Sequence, residues 1–182
     1  MDDPESRFTA LYDAHYRGVL GYALTKAEPG TAEDVVSEVF LIAWRRIGDV
    51  PGEAFPWLLG VARNLLRKQH QNGYRRWALA DRIIALTTRQ QLMAWDVAEH
   101  VIERETALAA LRTLPERDLD VLVLTMWQGL TPEDAADAAG CSTATFRVRQ
   151  HRARRRLAKA LDAANRTRPS TRSVPVARET AR

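Results

Sequence analysis

The stretch LTPEDAADAAGCSTATFRVRQHRARRRLAKAL, Leu130–Leu161, has the signals of two helices joined by a tight turn. Thr131 is a good side-chain cap for the first helix, and Pro132 suits the first helical position because proline has no N–H to donate. Gly140 can adopt the left-handed conformation that ends a helix, and Ser142 can cap the next one. A short helix, a glycine turn and a longer helix are typical of a helix-turn-helix.

The longer helix has two different faces. Residues that can face a core recur at steps of three and four: Phe146, Gln150, Ala153, Leu157 and Leu161. The opposite side carries Ala144, Arg147, Val148, His151, Arg152 and Arg155. Seven basic residues and no acidic one lie between Ser142 and Leu161. A merely solvated helix usually mixes both signs for i,i+4 pairing, so this charge bias favours DNA binding.

Charge alternates along the whole chain of 182 residues, whose formal net charge is only +4. Residues 1–60 carry a net charge of −5, residues 61–82 of +5, residues 83–140 of −6 and residues 141–182 of +10. Two separate basic segments indicate two contacts with a polyanion.

The chain has one cysteine, Cys141, which excludes an internal disulfide and a multi-cysteine zinc site. We expect it to fill a small apolar slot in the turn; a redox role is the alternative. The N-terminus lacks the basic start and apolar run of a signal peptide, and no uncharged apolar run approaches the ~20 residues of a membrane span. These features predict a cytoplasmic protein with no membrane span.

Three helices are predicted in the first half of the chain, over residues 5–27, from Thr31 to Ile47 and from Pro56 to about residue 73. The segment Gly48–Phe55 is rich in turn formers and is predicted to be a loop. In the third helix, basic and amide side chains lie largely off the core face, and Tyr74, Arg75, Arg76 and Trp77 follow it. Basic groups interleaved with aromatic rings suit single-stranded nucleic acid.

The second half of the chain is predicted to be helical as well. Asp96 and Glu99 form a capping box for a helix that runs to Thr113. The next helix begins at Leu114-Pro115-Glu116 and ends at Gly129, and its predicted buried face is Leu119, Leu122, Val123 and Met126. The predicted fold class is all-α, with two small helical domains joined by a linker. The second is a four-helix domain that ends in the helix-turn-helix.

The chain resembles an extracytoplasmic-function sigma factor, a group within the bacterial sigma-70 family. The segments AEDVVSEVFLIAWRRI (Ala32–Ile47) and PWLLGVARNLLRKQ (Pro56–Gln69) resemble the family's second conserved region. The segment Leu114–Leu157 resembles its fourth region. The two helical domains are predicted at residues 1–74 and 97–165, with a linker at 75–96. Residues 166–182 have two prolines and almost no large apolar groups, which predicts a disordered basic tail. The resemblance implies that the first domain is region 2 and the second is region 4.

The resemblance implies a protein that binds core RNA polymerase and promoter DNA, without cofactor, metal or catalysis of its own. The first domain would hold the minus-10 element and the second would read the minus-35 element. Contacts with the β′ clamp would come from Asp34, Val35, Glu38, Val39, Leu41, Ile42 and Arg45 as an exposed apolar and acidic face, and the β flap would be a second contact. An anti-sigma factor is a further expected partner.

The family's DNA-contacting positions can be carried over residue by residue. For the minus-10 element they match the loop Gly48–Phe55 and Asn64, with Arg63, Arg67 and Lys68 on phosphates. For the minus-35 element they match Arg147, Val148, His151 and Arg152, with Arg154, Arg155 and Arg156 near phosphates. Of these three phosphate-contacting arginines, Arg155 is also counted among the predicted minus-35 binding residues.

Two departures from the family pattern affect these expectations. The family usually has larger apolar residues where this chain has Ala135, Ala138 and Ala139, so either the helix-turn-helix core is thin or another helix lies closer. Val148 stands where family members often carry a small polar residue. The promoter sequence that this helix would read is therefore hard to infer from the family pattern.

Two other classes of protein compete with the sigma-factor interpretation. A regulator that binds duplex DNA on its own has a similar four-helix output domain. It would normally carry a sensor or receiver domain with a βα alternation and an acidic pocket, and residues 1–95 have neither pattern. An enzyme would need a cluster of functional groups, and His15, His70, His100 and His151 are scattered without metal-ligand spacing or a nucleophile–base pattern. Glu99, His100 and Glu103 share one helix, which we interpret as surface charge.

Overall fold

The computed structural model describes residues 3–70, 106, 107 and 109–167. Its α-helices are α1 (Pro4–Leu24), α2 (Pro29–Arg45), α3 (Ala54–His70), α4 (Glu116–Leu122), α5 (Pro132–Ala139) and α6 (Thr143–Thr167). Residues 109–112 are also helical, and a π-helical turn, Val123–Trp127, continues α4. These described residues contain no β-strand, so the predicted all-α fold class is confirmed. Within the same residues, every helix is too short or too polar to cross a bilayer.

The helices of the first half begin earlier than the sequence predicts. Asp3 caps α1, where its Oδ2 accepts a hydrogen bond of 3.4 Å from the Ser6 N–H. α2 begins at Pro29, so Thr31 lies inside its first turn and is not its cap. Proline fixes a helical φ and needs no donor at the first position, which is why it starts this helix and does not break it. α3 likewise begins at Ala54, two residues before the predicted Pro56.

The helices pack as two groups. α1, α2 and α3 contact one another around Tyr22, Val36 and Leu58, which are fully buried or nearly so. α6 packs against α4 and α5 around Phe146 and Ala153, both fully buried. The buried residues of the two groups join in one continuous apolar cluster, because α3 also packs against α5.

The contact between α3 and α5 depends on small residues. A Cβ placed on Gly60 of α3 would lie 3.6 Å from both the Cα and the carbonyl oxygen of Ala138. Ala135 and Ala138 are buried and Ala139 is half-buried. The sequence left two alternatives for these alanines, a thin helix-turn-helix core or a closer neighbouring helix. The structure shows the second, with α3 as the closer helix.

The buried face of the helix that follows Leu114 differs from the predicted one because of the π-helical turn. Leu119, Leu122 and Val123 are buried as predicted, but Met126 is 63% exposed. The Gln128 N–H donates to the Val123 carbonyl oxygen at 2.9 Å, an i→i+5 bond that widens the turn. The extra residue rotates Met126 away from the face that a regular 3.6-residue period assigns to it.

The domain boundaries at residues 74, 96 and 165 stay predictions. The linker at 75–96, the capping box of Asp96 and Glu99, and Tyr74, Arg75, Arg76 and Trp77 lie outside the described residues, as do His100 and Glu103. The first two residues assigned to the tail, Arg166 and Thr167, still belong to α6, and the rest of the tail is outside the described residues.

Candidate nucleic-acid interface

The turn between α5 and α6 is built by the residues that the sequence singled out. The Thr131 Oγ1 accepts a hydrogen bond of 3.2 Å from the Asp134 N–H, which satisfies a free donor at the start of α5. Gly140 has φ 64° and ψ 43°, and the Cys141 N–H donates to the Ala136 carbonyl oxygen at 3.0 Å. This is the Schellman ending of a helix. Cys141 is half-buried against the core, as expected.

α6 presents one face to the core and another to solvent. The Ser142 Oγ accepts a hydrogen bond of 3.3 Å from the Thr145 N–H and so caps the helix. Phe146 and Ala153 are buried, while Gln150, Leu157 and Leu161 are half-buried. The predicted core face is therefore confirmed, and the side opposite to it is exposed.

The exposed side of α6 carries every residue assigned to the minus-35 element. These residues are Arg147, Val148, His151, Arg152 and Arg155. Arg147 forms an ion pair with Glu133 of α5, and both side chains are more than half exposed. Arg156, expected near phosphate, forms an ion pair with the buried Asp118 of α4 and so contributes to packing within the second group of helices.

The residues assigned to the minus-10 element divide into two sets. Asn64, Arg67 and Lys68 are exposed on α3. Arg63 is half-buried: its Nε donates to Asp120 Oδ2 of α4 at 3.2 Å, and its Nη1 donates to the Ala139 carbonyl oxygen at 3.2 Å. In this structure Arg63 is therefore engaged by the second group of helices, where the sequence predicts a phosphate contact.

Asp120 is the centre of a polar cluster between the two groups of helices. Its Oδ1 accepts one hydrogen bond, from the Tyr22 hydroxyl at 3.2 Å, and forms an ion pair with the Lys26 Nζ at 2.8 Å. The Lys26 Nζ also lies 5.4 Å from the centroid of the Tyr22 ring. Together with Arg63, these residues are here called the Asp120 cluster.

Burial and charge within the Asp120 cluster shift the pKa values of Asp120 and Tyr22. Burial alone would raise the pKa of Asp120, but the Lys26 ammonium and the Arg63 guanidinium outweigh it, so the pKa lies below its usual value. Burial, reinforced by the Asp120 carboxylate, raises the pKa of Tyr22 well above 10.0. At neutral pH the carboxylate is therefore charged and the phenol is neutral, as the hydrogen bond between them requires.

The loop before α3 is shorter than predicted and is bonded to α1. Ala54 and Phe55, the last residues of the predicted loop, already belong to α3. The Arg7 Nη2 donates to the Val50 carbonyl oxygen at 2.9 Å. The His15 ring stacks on Phe55 with ring centroids 5.4 Å apart, and burial lowers the pKa of His15 despite the opposing charge of Glu53.

The predicted polymerase-binding face on α2 needs a correction. Asp34, Glu38, Leu41 and Arg45 are exposed and Ile42 is half-buried, but Val35 and Val39 are buried in the core. The prediction that Val35 and Val39 are exposed is wrong, because α2 packs against both α1 and α3 and so buries two apolar stripes.

An aromatic groove between α1 and α2, which the sequence analysis missed, lies beside this face. Its aromatic residues are Phe8, Tyr12, Tyr16, Phe40 and Trp44. The Phe8 and Trp44 ring centroids are 5.2 Å apart, and those of Tyr12 and Phe40 are 4.8 Å apart. Tyr12 and Trp44 are each about two-fifths exposed, so the groove presents aromatic surface to solvent. On α2 the groove is lined by Val36, Phe40 and Trp44, which recur at every fourth residue.

Among the described residues, no three His, Cys, Asp or Glu side chains lie together in a way that could hold a metal ion. His15 and His151 lie on separate helices, α1 and α6. The expected absence of metal and cofactor stays a prediction.

Family models match the chain in two places. The model of sigma-70 region 2 matches residues 11–76, and the model of sigma-70 region 4 matches residues 104–157. The first match contains α2, α3 and most of α1, and the second contains α4, α5 and much of α6. The two regions therefore follow each other in the order that the sequence predicted.

Several curated relatives share these regions. The ECF RNA polymerase sigma factor EcfG of Rhodopseudomonas palustris is 35% identical over 128 residues, which cover 69% of this chain and 68% of EcfG. The ECF RNA polymerase sigma factor SigL of Mycobacterium tuberculosis is 30% identical over 152 residues, which cover 81% of this chain and 85% of SigL. The probable RNA polymerase sigma factor RfaY of Xanthomonas campestris is 30% identical over 140 residues, which cover 74% of this chain. This chain spans about a third (35%) of the length of RfaY.

Solved structures share the fold. CnrH in complex with the cytosolic domain of CnrY matches with a TM-score of 0.57 at 23% identity, over 86% of this chain and 88% of CnrH. The sigma factor RpoE in complex with the anti-sigma factor NepR, from Bartonella quintana, matches with a TM-score of 0.58 at 19% identity, over 85% of this chain and 96% of RpoE. With two sigma-70 regions in order and relatives matched over most of their length, the chain belongs to the ECF group of the sigma-70 family of RNA polymerase sigma factors.

Proposed function

We propose that this protein binds core RNA polymerase and directs it to promoters by reading a minus-10 element with its first domain and a minus-35 element with its second. The observation that carries the proposal is a chain with both sigma-70 regions, each of which exposes basic side chains on one helix, α3 or α6. Two separate basic faces suit two separate contacts along one DNA molecule.

The second domain reads the minus-35 element with the exposed side of α6. Arg147 and Arg152 can each form two hydrogen bonds with one guanine in the major groove, and Val148 can pack on a thymine methyl. His151 lies on the same exposed face, while Arg154 and Arg155 hold phosphates, which adds affinity without sequence choice.

The first domain holds the minus-10 element with α3 and the loop before it. Asn64 is exposed and has both a donor and an acceptor for the edge of an unpaired base. Arg67 and Lys68 lie three and four residues after Asn64, on the same side of α3, and are free to hold phosphates. Arg63 can join them only after it leaves Asp120. The bond from Arg7 to Val50 fixes the loop beside this helix.

The clamp of the β′ subunit binds the exposed part of α2. The proposed contacts are Asp34, Glu38, Leu41, Ile42 and Arg45. Trp44 lies on the same helix at the rim of the aromatic groove and adds exposed apolar area. Val35 and Val39 support this face from the core, and the β flap contacts the second domain.

An anti-sigma factor is a further partner that we propose, since the structural neighbour RpoE was solved with the anti-sigma factor NepR. The protein catalyses no step of transcription itself and needs no cofactor. It acts in the cytoplasm and is associated with the nucleoid when bound to polymerase. The predicted domains, 1–74 and 97–165, carry the two promoter contacts.

The first test is co-elution of the full chain with bacterial core RNA polymerase on a sizing column. We expect a stoichiometric complex, which would then be used for promoter mapping. Tight binding to duplex DNA together with no binding to core polymerase would instead favour a regulator that acts on its own. Failure to bind either would overturn the proposed function.

The second test is Asn64→Ala. If Asn64 reads an unpaired base, this variant impairs open-complex formation while it binds core polymerase normally. Asn165→Ala, which changes an exposed asparagine at the end of α6, is the matched control and leaves open-complex formation unchanged. Loss of polymerase binding by Asn64→Ala would show a structural role for Asn64.

A further inference from the structure

We propose that α1 sets the minus-10 preference of this protein without contacting DNA, because it holds the loop between α2 and α3 in one shape. The loop consists of residues 46–53 and is here called the connecting loop. The positioning residues on α1 are Arg7, His15 and Gly18. The inference rests on the proposed function, since the connecting loop belongs to the proposed minus-10 surface.

The middle of the connecting loop is tied to α1 through its backbone. The Arg7 Nη2 donates to the Val50 carbonyl oxygen at 2.9 Å, and the Val50 side chain is buried. A hydrogen bond from a charged guanidinium is stronger than one between two neutral groups. Because the acceptor is a carbonyl oxygen, this bond fixes the path of the main chain whichever side chains the loop carries.

The far end of the connecting loop is held by Phe55, the second residue of α3. The His15 ring stacks on the Phe55 ring, with centroids 5.4 Å apart and planes 19° apart. A Cβ placed on Gly18 would lie 2.7 Å from the Cε2 and Cζ of the same ring, which is closer than real Cβ atoms approach other atoms. His15 and Gly18 are three residues apart and so lie on one side of α1. Position 18 therefore has room for this ring only because it has no side chain.

The stretch between these two anchors is exposed to solvent. It consists of Pro51, Gly52 and Glu53. The residues that flank it, Val50 and Ala54, are buried. Three exposed residues with both ends fixed have few conformations to lose when they bind an unpaired base. A loop with a fixed shape also cannot rearrange around a wrong base, so its contacts discriminate between bases.

The consequence is that α1 affects one promoter element and not the other. It acts on the minus-10 choice through the connecting loop, whereas the proposed minus-35 residues lie on α6 and the proposed polymerase contacts lie on α2. Loss of an anchor gives the loop conformations that it must lose again on binding, and it allows wrong bases to be accommodated. We therefore expect a selective loss at the minus-10 element.

The first pair of variants tests the anchor at Phe55. Gly18→Ala adds a methyl group that must displace the Phe55 ring. Gly21→Ala is the matched control, because the same methyl group there meets nothing within 4 Å among the described residues outside its own stretch of helix. Both variants replace glycine by alanine within α1 and so raise its helix propensity alike. A difference between them reports the displacement of Phe55.

A second pair of variants tests the anchor at Val50. Arg7→Met removes the bond to the Val50 carbonyl oxygen, and Arg17→Met, an exposed change on the same helix, is its control. Arg7→Lys is a rescue variant, because an ammonium group can also donate to a carbonyl oxygen. A residue that acts only on stability would change the melting temperature without changing the choice of base.

Each full-length protein is assembled with core RNA polymerase, and the complex transcribes a barcoded library of one mapped promoter with either element randomised. Sequencing of the transcripts gives the discrimination at each element, and a binding titration gives the dissociation constant for core polymerase. We expect Gly18→Ala and Arg7→Met to lose about two- to tenfold in minus-10 discrimination, with the minus-35 discrimination and the dissociation constant unchanged. Both controls match the wild type, and Arg7→Lys recovers part of the loss.

Unchanged minus-10 discrimination in both Gly18→Ala and Arg7→Met would overturn the inference. An equal loss at both elements would also overturn it, because it would show a general loss of structure. If one variant loses helicity by circular dichroism, the other decides. Absence of transcription with every protein, wild type included, would overturn the proposed function and this inference with it. Selective transcription by the wild type that both variants match would overturn this inference alone.

Discussion

The two basic helices differ in how their arginines are paired. On α3, Arg63 is bonded to Asp120 in a contact whose side chains are 22% and 14% exposed, and the carboxylate comes from the other domain. On α6, Arg147 is bonded to Glu133 of the same domain, and those side chains are 62% and 55% exposed. An exposed ion pair contributes little and exchanges readily for another anion, whereas removal of one partner from a partly buried pair is costly. The same residue type is therefore available at one surface and withheld at the other.

The largest expected effect comes from Lys26→Met, which breaks the Asp120 cluster without changing a residue of the proposed DNA surfaces. Removal of one partner from a buried pair costs up to about 3–5 kcal/mol of unfolding free energy. Urea denaturation measures the loss. Lys68→Met, an exposed change on α3, is the control. Equal stability of Lys26→Met and the control would show that the pair contributes nothing.

Protonation of Asp120 is a milder way to break the same contact, since a neutral carboxyl can still form hydrogen bonds. The pKa of Asp120 is lowered by folding, so its stabilisation is present above the ordinary pKa and is lost as the pH falls through the lower one. The difference in unfolding free energy between the wild type and Asp120→Asn should be constant from pH 6 to pH 8 and should shrink below about pH 4. A change in that difference between pH 6 and pH 8 would contradict the assignment.

The next largest effects are expected from Arg147→Ala and Arg152→Ala on the exposed face of α6. If each arginine reads a base, each variant loses about 1–3 kcal/mol of binding to the cognate minus-35 sequence and discriminates less at one position. Binding of the polymerase complex to matched and mutated promoters measures both quantities. An equal loss on all promoter sequences would show that these arginines contact phosphates only.

The smallest expected effect is that of Glu133→Gln, which frees Arg147 from its exposed partner. Exposed ion pairs contribute about 0–1 kcal/mol, so stability should change by less than this amount. DNA affinity should rise slightly because a negative charge near the DNA is lost. A loss of stability as large as that of Lys26→Met would remove the contrast between the two arginines.

Sequence reasoning predicted the second basic helix well because its signals are local. The Thr131 cap, the left-handed Gly140 and the core face that includes Phe146 all follow from neighbours within a few residues. Such patterns express backbone geometry and the 3.6-residue period, which need no knowledge of the rest of the fold. The exposure of the candidate minus-35 residues follows from the same period.

The predictions that were wrong or missing depend on features of the structure that sequence periodicity does not show. Val35 and Val39 form a second apolar stripe, and a stripe does not reveal whether a protein partner or a neighbouring helix covers it. Met126 is exposed because one π-helical turn shifts the period, which periodicity alone cannot detect. The aromatic groove of Tyr12 and Trp44 needs two helices to be placed side by side.

The sequence by itself determined the all-α fold class, the caps of the helix-turn-helix and the two sigma-70 regions, because each depends on residues close together in the chain. Only the tertiary structure decided that Asp120 lies between Tyr22, Lys26 and Arg63, and that Gly60 meets Ala138. Tyr22 and Asp120 are 98 positions apart, and a pairing of that kind depends on how two domains pack. The availability of Arg63 is therefore a property of the packed molecule, and no local pattern in the sequence expresses it.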